Sequence, residues 1–227
     1  MYDFHAHILP GMDHGSPDAE TSKQQMEVLS ALGVTHVVAT SHFSPHGDNV
    51  SDFLQRRSRS ADELRCHLSE HWPTVHLGAE VLISDGIDRM EGIDRLCLVG
   101  TNVLLLEMPF FEWNEGLKRT VKRLCRSDMK ILLAHVDRYP RDAVEELYDY
   151  GAFGQVNCEA FSALFPKNYY KSWFLEGSCL ALGTDIHLPD RFRKKCVADA
   201  HKKLGEKALD ALTQTSRELL DGAVPLA

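Results

Sequence analysis

Nine side chains of the kinds that bind metal ions stand at, or just past, the carboxyl ends of successive predicted strands. Five are histidines and four are carboxylates: His5, His7, Asp13, His42, Glu80, Glu107, His135, Asp185 and His187. They run from the first residues to the last predicted strand, so they meet only if the chain brings its strand ends to one edge. Functional residues of α/β barrels collect at that edge. The pattern therefore constrains the fold and locates the chemistry together.

Short apolar runs alternate with amphipathic helical patterns along the chain. The runs that predict strands lie near 2–7, 34–42, 75–83, 102–108, 130–136, 153–159 and 179–185. Helical patterns fit 114–127, 140–150, 166–176, 190–204 and 206–221. Ser16 before Pro17 predicts the N-cap of an earlier helix that Gly33 ends, and Ser51 begins another. Seven strands separated by helices predict parallel βαβ units, and hence a closed or nearly closed α/β barrel.

Composition limits the classes of function. The 227 residues contain no internal repeat or long linker, so we expect one domain over 1–227. A net charge of −8 argues against a broad nucleic-acid-binding surface. No apolar run reaches the ~20 residues of a membrane span, and the N-terminus lacks the features of a signal peptide. We therefore expect a cytoplasmic protein without membrane insertion.

The six cysteines do not predict a disulfide framework or a zinc ribbon, because they are scattered without paired spacing. Reduced cysteines are the expected state. A cysteine phosphatase needs an arginine six residues after its nucleophile to hold phosphate. The residues at that spacing are Trp72, Val103, Ile131, Leu164, Asp185 and Lys202. None is arginine, so the sequence excludes that mechanism.

Metal binding explains the polar strand ends as a set. His5 and His7 are two residues apart on one strand and share a face, as do Asp185 and His187. Glu107 ends an apolar strand, where a lone carboxylate would cost several kcal/mol. Singly, each residue also has a structural explanation, such as a partner arginine or a helix terminus. Histidine and carboxylate mixtures suit Zn, Mn or Fe, and oxygen-rich sites favour Mn.

The charge of the proposed cluster favours an anionic substrate. Four carboxylates contribute −4 and three divalent ions +6, which leaves +2, a charge that would hold a phosphate dianion. Arg138, three residues beyond His135, is placed to grip phosphate oxygens in a bidentate manner. An alternative is that Arg138 bridges to the acidic helix that carries Glu145 and Glu146.

These residues resemble the polymerase and histidinol phosphatase (PHP) superfamily, and within it the bacterial manganese-dependent tyrosine phosphatases of the CpsB/YwqE type. The matching segments are Asp3-Phe4-His5-Ala6-His7-Ile8-Leu9-Pro10-Gly11-Met12-Asp13-His14-Gly15, Ala39-Thr40-Ser41-His42, Gly78-Ala79-Glu80, Leu106-Glu107-Met108-Pro109, Leu133-Ala134-His135-Val136-Asp137-Arg138-Tyr139 and Thr184-Asp185-Ile186-His187. They span about residues 1–190. The resemblance implies a distorted (β/α)7 TIM-like barrel that holds three divalent ions, with Mn expected and Fe or Zn compatible.

The resemblance also implies a division of ligands among three ions. The implied sets are His5, His7, Glu80 and Asp185; Glu80 (bridging), Glu107 and His135; and Asp13, His42 and His187. Arg138 would contact phosphate, and Arg191 or Arg193 would supply a second contact. The implied reaction is attack of a metal-activated hydroxide on phosphorus. The implied substrate is phosphotyrosine in a protein, namely a bacterial tyrosine autokinase that controls capsule or exopolysaccharide export.

Three departures from the family pattern bear on substrate preference. His14 replaces a second aspartate, Ser41-His42-Phe43 replaces a Pro-His-His-like element, and Val136-Asp137 replaces Pro-Glu. Phe43 and the 43–60 segment are expected to border the pocket. Two other functions stay open: a small-molecule phosphatase of the histidinol-phosphatase type, and a metal-binding regulatory module without activity.

Overall fold

Alternating strands and helices make up the protein, and each predicted strand is present. The computed structural model describes residues 1–110, 113–163, 167–189 and 193–227, without the side chains of residues 193 and 194. The strands are β1 Tyr2–Ala6, β2 His36–Ala39, β3 His42–Phe43, β4 Thr74–Leu77, β5 Glu80–Leu82, β6 Val103–Glu107, β7 Lys130–Leu133, β8 Phe153–Asn157 and β9 Cys179–Gly183. The helices are α1 Ala19–Ala31, α2 Val50–Arg65, α3 Glu115–Leu124, α4 Arg141–Asp149, α5 Tyr169–Glu176, α6 Arg193–Leu204 and α7 Glu206–Leu219.

All named strand pairs are parallel, as the alternation predicted, and they form two sheets. One sheet has the order β1-β2-β4 and the other β3-β5-β6-β7-β8-β9. The predicted mixed α/β architecture with parallel strands is confirmed. The closed (β/α)7 barrel is not confirmed, because the strand pairing of the described residues stops at two separate sheets.

The division into two sheets arises where two predicted strands are interrupted. The run 34–42 is split into β2 and β3, and the run 75–83 into β4 and β5. Backbone bonds continue beside both breaks, since the Gly78 N–H donates to Ala39 O at 2.9 Å and the Glu80 N–H to Ser41 O at 3.1 Å. These interruptions put His42 and Glu80 at the beginning of short strands, next to each other in register.

The helices begin and end for local reasons. The Asp18 side chain caps α1 by accepting from the Thr21 N–H at 2.8 Å, so the prediction of Ser16 as N-cap is wrong by two residues. Ser16 is buried and its hydroxyl bonds that of Ser22 instead. Gly33 follows α1 with a φ of +75°, as predicted for a helix end. Asn49 caps α2, which begins at Val50, one residue before the predicted start at Ser51.

The apolar residues of the strands form the core under the helices. Strands such as Val103-Leu104-Leu105-Leu106 are buried throughout, which is typical of parallel sheets covered on both faces. Phe43 is part of this core and meets Phe53 edge-on at 5.4 Å between ring centroids. The prediction that Phe43 borders the pocket is therefore wrong. Among the described helices, none has the length and apolar content that crossing a bilayer requires.

Candidate metal centre

The carboxyl ends of the strands bring the predicted ligands to one edge of the fold. His5 lies in β1 and His7 just beyond it, Glu107 ends β6, His135 follows β7, and Asp185 follows β9. The end of β1 is held against the chain after β9, because His7 N–H donates to Ile186 O at 2.9 Å and Asp185 N–H to His5 O at 2.7 Å. Residues far apart in sequence thereby share one buried cluster.

Glu80 is at the centre of this cluster. Its Oε2 lies 3.1 Å from His5 Nε2, 3.3 Å from His7 Nε2 and 3.0 Å from His42 Nδ1. Its Oε1 lies 2.9 Å from His135 Nε2. The side chain is 1% exposed, yet Oε2 has no partner with hydrogen-bond geometry among the described residues. Several imidazoles around a buried carboxylate oxygen that they do not properly bond are the donor set expected around a cation.

Asp185 and His187 complete the side of the cluster that β9 provides. Asp185 Oδ1 lies 3.6 Å from His5 Nε2 and 3.4 Å from His7 Nε2. The His187 ring stacks on that of His7, with 4.0 Å between centroids. The Nε2 atoms of His42 and His187 are buried and have no hydrogen-bond partner within the described ranges. Such unpaired nitrogens are costly unless they face a ligand.

The geometry groups the donors into overlapping sets. In each set the ligand atoms lie within 4.8 Å of one another; the sets are His7, His42 and His187; His5, His7 and Glu80; and His42, Glu80 and Glu107. His135 Nε2 adjoins the last set, 3.5 Å from Glu107 Oε1. Eight of the nine predicted ligands, Glu80 among them, therefore lie in one cluster, and this donor set fits divalent ions.

Asp13 is in the same region but its oxygens are already engaged. Oδ2 lies 2.9 Å from His7 Nδ1 and accepts from the His42 N–H at 3.0 Å, and Oδ1 accepts from the Gly15 N–H at 2.9 Å. The ring of the neighbouring His14, by contrast, stacks on His42 at 4.8 Å and on His187 at 4.5 Å. His14 was not among the ligands predicted from the sequence, although the family pattern has an aspartate at its position.

Protons hold the metal-free cluster together, as the pKa directions indicate. Burial alone would raise the pKa of Glu80, but the charge of His5 and the hydrogen bond of His135 lower it well below its usual range. Burial would lower the pKa of His135, yet hydrogen bonds to Glu107 and Glu80 raise it to about 9. Burial and the charge of His7 lower the pKa of His187 to about 4. Cations that bind here would displace the proton from His135, whereas Glu80 is already ionised.

Two polar residues of β8 orient the cluster, and sequence reasoning missed both. Gln155 Oε1 lies 3.0 Å from His5 Nδ1 and accepts the His135 N–H at 2.8 Å. Gln155 Nε2 donates to Asn157 Oδ1 at 2.9 Å, and Asn157 Nδ2 donates to Asp185 Oδ2 at 3.1 Å. With Nδ1 of His5 as donor to Gln155, Nε2 is left to bind a cation. Two polar residues of equal parity on a buried strand were the available signal.

A glycine makes this close approach possible. A Cβ on Gly183 would lie 2.6 Å from both the His5 Cβ and the Gln155 Nε2. Any larger residue would separate the strands that carry them. The backbone is also strained at the site, since His135 has a φ of +33° and Asp185 a φ of +52°. Left-handed non-glycine residues persist where surrounding contacts hold them, and they are concentrated at functional sites.

Arg138 lies at the rim, in a short 3₁₀ turn that begins after His135. One guanidinium nitrogen donates to Asp185 Oδ2. The alternative bridge to the acidic helix is wrong, because Glu145 pairs with Arg141 and Glu146 with Lys118. Burial alone would lower the pKa of the Arg138 guanidinium, but the charges of Asp185 and Asp137 raise it above its ordinary value. Arg191 and the side chain of Arg193 lie outside the described residues.

Strand-end histidines and carboxylates around a buried glutamate define a metal-binding α/β protein. The model of the capsular polysaccharide synthesis family CpsB/CapC matches residues 1–220, and the chain belongs to that family.

Individual proteins are also similar to this chain in sequence or in structure. The tyrosine-protein phosphatase YwqE of Bacillus subtilis (strain 168) is 25% identical over 176 residues, which cover 74% of this chain and 68% of the relative. A solved structure from work on YwqE of Bacillus subtilis and CpsB of Streptococcus pneumoniae, metal-dependent tyrosine phosphatases, is 22% identical. It superposes with a TM-score of 0.81 over 99% of this chain and 96% of its own. An uncharacterised protein superposes with a TM-score of 0.52 at 12% identity, over 98% of this chain and 74% of its own.

Proposed function

We propose that this protein is a metal-dependent phosphatase that removes phosphate from phosphotyrosine in proteins. The observation that carries the proposal is the buried Glu80, whose Oε2 faces three imidazole nitrogens within 3.3 Å without a proper hydrogen bond. Membership of the CpsB/CapC family and the names of its relatives supply the reaction class.

The cluster divides into three ion sites in this proposal. His5, His7, Glu80 and Asp185 would hold one ion, and Glu80, Glu107 and His135 a second. For the third we assign His14, His42 and His187, with Asp13 orienting His7 through its Nδ1. The buried, unpartnered Nε2 atoms of His42 and His187 and the His14 ring stacked on both support this assignment. Carboxylate-bearing sites suit Mn, whereas three imidazoles favour Zn or Fe.

Bound divalent ions would supply Lewis acidity and an activated water for attack on phosphorus. The chain's own residues bind and orient the phosphate. Arg138, 37% exposed at the rim, would turn from Asp185 to share its guanidinium with phosphate oxygens. A phenolate with a pKa near 10 leaves with less protonation than an alkoxide. That property fits a rim where Arg138 is permanently protonated and offers no acid.

We further propose that the two sheets are parts of one distorted (β/α)7 barrel in a single domain over 1–227. The backbone bonds that join β1 to the chain after β9, and those beside the β2/β3 and β4/β5 breaks, support this proposal. The six cysteines lack the paired spacing of a disulfide framework, which supports a reducing, cytoplasmic location. The family name supports a tyrosine autokinase of capsule or exopolysaccharide export as the physiological substrate.

Kinetics on two substrates test the proposal. Protein loaded with Mn, Fe or Zn is expected to hydrolyse a phosphotyrosine peptide with a higher kcat/KM than histidinol phosphate. The reverse order would favour the small-molecule phosphatase. Absence of hydrolysis with all three metals would favour a regulatory module.

Metal counts test the third site separately. His14→Ala is expected to lose one bound ion relative to the wild type, while Asp13→Asn keeps all ions because its amide oxygen still accepts from His7. Loss of an ion from Asp13→Asn, with none lost from His14→Ala, would return the ligand role to Asp13.

A further inference from the structure

An aromatic side chain lies exposed beside the metal centre with no packing role that explains it. Phe110 is 67% exposed, more than any other large apolar residue of the described part of the chain. Single exposed apolar residues are common, so exposure alone carries no meaning. Its position does. The Phe110 ring lies nearly parallel to the His135 imidazole, at 15° and 6.0 Å between centroids, and 6.0 Å from the Arg138 guanidinium carbon.

Phe110 forms one wall of a groove of about 360 Å³ that leads away from Arg138. Tyr139 and Trp113 make up the rest of its aromatic lining, and their rings meet at 5.2 Å. Both are fixed by their polar atoms: the Tyr139 hydroxyl donates to Met108 O at 2.5 Å, and Trp113 Nε1 donates to Pro109 O at 2.9 Å. These two aromatic side chains therefore do not have to be ordered when a ligand binds.

Charges at the outer end of the groove do not select for an acidic ligand. Lys118 lines the groove, but its ammonium group already donates to Glu146 Oε2 at 2.7 Å. Asp142 also lines it and offsets that cation. The recognition elements that remain are the guanidinium at the inner end, which the proposed mechanism turns from Asp185 to phosphate, and the aromatic faces beyond it. An aryl phosphate matches this arrangement, because its phosphate would meet the guanidinium and its ring would meet the aromatic side chains.

We propose that Phe110 is a specificity-determining residue that stacks on the phenyl ring of phosphotyrosine and so favours aryl over alkyl phosphate monoesters. The inference rests on the proposed phosphatase function. One oxygen separates the phosphorus from the ring, so a phosphate held by Arg138 beside His135 places the ring over Phe110. Aromatic pairs attract at centroid separations of about 4.5–7 Å, and a stacked pair contributes a roughly threefold to tenfold gain in binding.

A comparison of the binding of two phosphonates separates the contribution of the aromatic ring from that of the anionic group. Phenylphosphonate and methylphosphonate would be titrated into the metal-loaded full chain, with calorimetry as the readout and the fluorescence of Trp113 in the groove as a second signal. Phe110→Ala is expected to weaken phenylphosphonate binding about threefold to tenfold and leave methylphosphonate binding unchanged. Phe110→Tyr is expected to keep both. Leu175→Ala, which removes an exposed apolar side chain on α5, is the matched control and is expected to change neither.

Turnover gives an independent readout. Phe110→Ala is expected to raise KM for a phosphotyrosine peptide with little change in kcat, because the ring contact is made equally in the ground and transition states. Equal weakening of both phosphonates, unchanged phenylphosphonate binding, or no binding of either by the wild type would overturn the proposal. If Phe110→Ala weakens the binding of phenylphosphonate alone but the wild type hydrolyses no phosphomonoester, the aryl site stands and the proposed function fails.

Discussion

Gln155→Leu separates the orientation of the cluster from its ligands. Gln155 touches no ion in the proposed site, yet its Oε1 pairs with His5 Nδ1 at 3.0 Å and accepts the His135 N–H at 2.8 Å. Leucine has a similar size and removes both acceptor interactions without adding charge. The substitution therefore keeps every proposed ligand but removes the contacts that orient two of them, His5 and His135.

The expected magnitudes follow from those two contacts. Each buried donor left without an acceptor costs about 1–3 kcal/mol, so the metal-free protein should lose roughly 2–6 kcal/mol of unfolding free energy. Loss of a partner that fixes a metal-binding histidine typically reduces metal affinity about 10- to 100-fold. The effect should be near the upper end here, because the same oxygen also holds the backbone of His135 in its left-handed conformation.

Denaturant unfolding of metal-free protein and competition with a chelating dye measure the two effects. Gln155→Glu is the matched control, because a carboxylate oxygen still accepts from His5 and His135 while the donor to Asn157 is lost. We expect Gln155→Glu to retain most of the metal affinity that Gln155→Leu loses. Metal affinity unchanged in Gln155→Leu would refute the orienting role. Equal losses in both variants would shift that role to the Gln155–Asn157 bond.

Three further outcomes are expected. His135→Ala and Glu107→Ala should bind fewer metal ions as well as losing rate, and elemental analysis that finds an unchanged count would remove either residue from the ligand set. Arg138→Ala should keep the metal count but weaken inhibition by inorganic phosphate about tenfold or more, as loss of a charged hydrogen bond of about 1.5–3 kcal/mol implies; an unaltered inhibition constant would contradict its role. The pKa of His135 is raised to about 9 from its ordinary 6.5, so its contribution to stability is complete below pH ~6.5 and lost as pH rises to about 9. The Tm of metal-free protein should fall across that window and that of loaded protein should not, and parallel curves in thermal scans would speak against protons holding the empty site.

Local sequence patterns predicted much of the fold. Alternation of apolar runs and helical periods located each strand to within a few residues, because parallel strands buried on both faces read as continuous apolar runs. The interruptions within 34–42 and 75–83 were not predictable in the same way. They depend on how neighbouring strands pair in the folded protein, which has no signature in the chain itself.

The candidate site was likewise predictable from the sequence only in part. Strand parity and placement at strand ends identified the residues that surround Glu80, since these rules depend only on spacing. They do not choose between Asp13 and His14 as ligands of the proposed third ion, because both residues lie in a loop where parity gives no direction. Phe43 was placed at the pocket by its position beside His42, yet its ring turns into the core against Phe53. Gln155 and Phe110 were found only through contacts that the fold creates.

The central claim is that cations hold the strand-end cluster around Glu80 together. Elemental analysis of protein purified without added metal, followed by phosphotyrosine hydrolysis before and after exhaustive chelation, tests it most directly. We predict about three divalent ions per chain, loss of hydrolysis when they are removed, and recovery when Mn, Fe or Zn is restored. Hydrolysis that persists in protein free of metal, or a chain that binds no divalent ion, would contradict the claim.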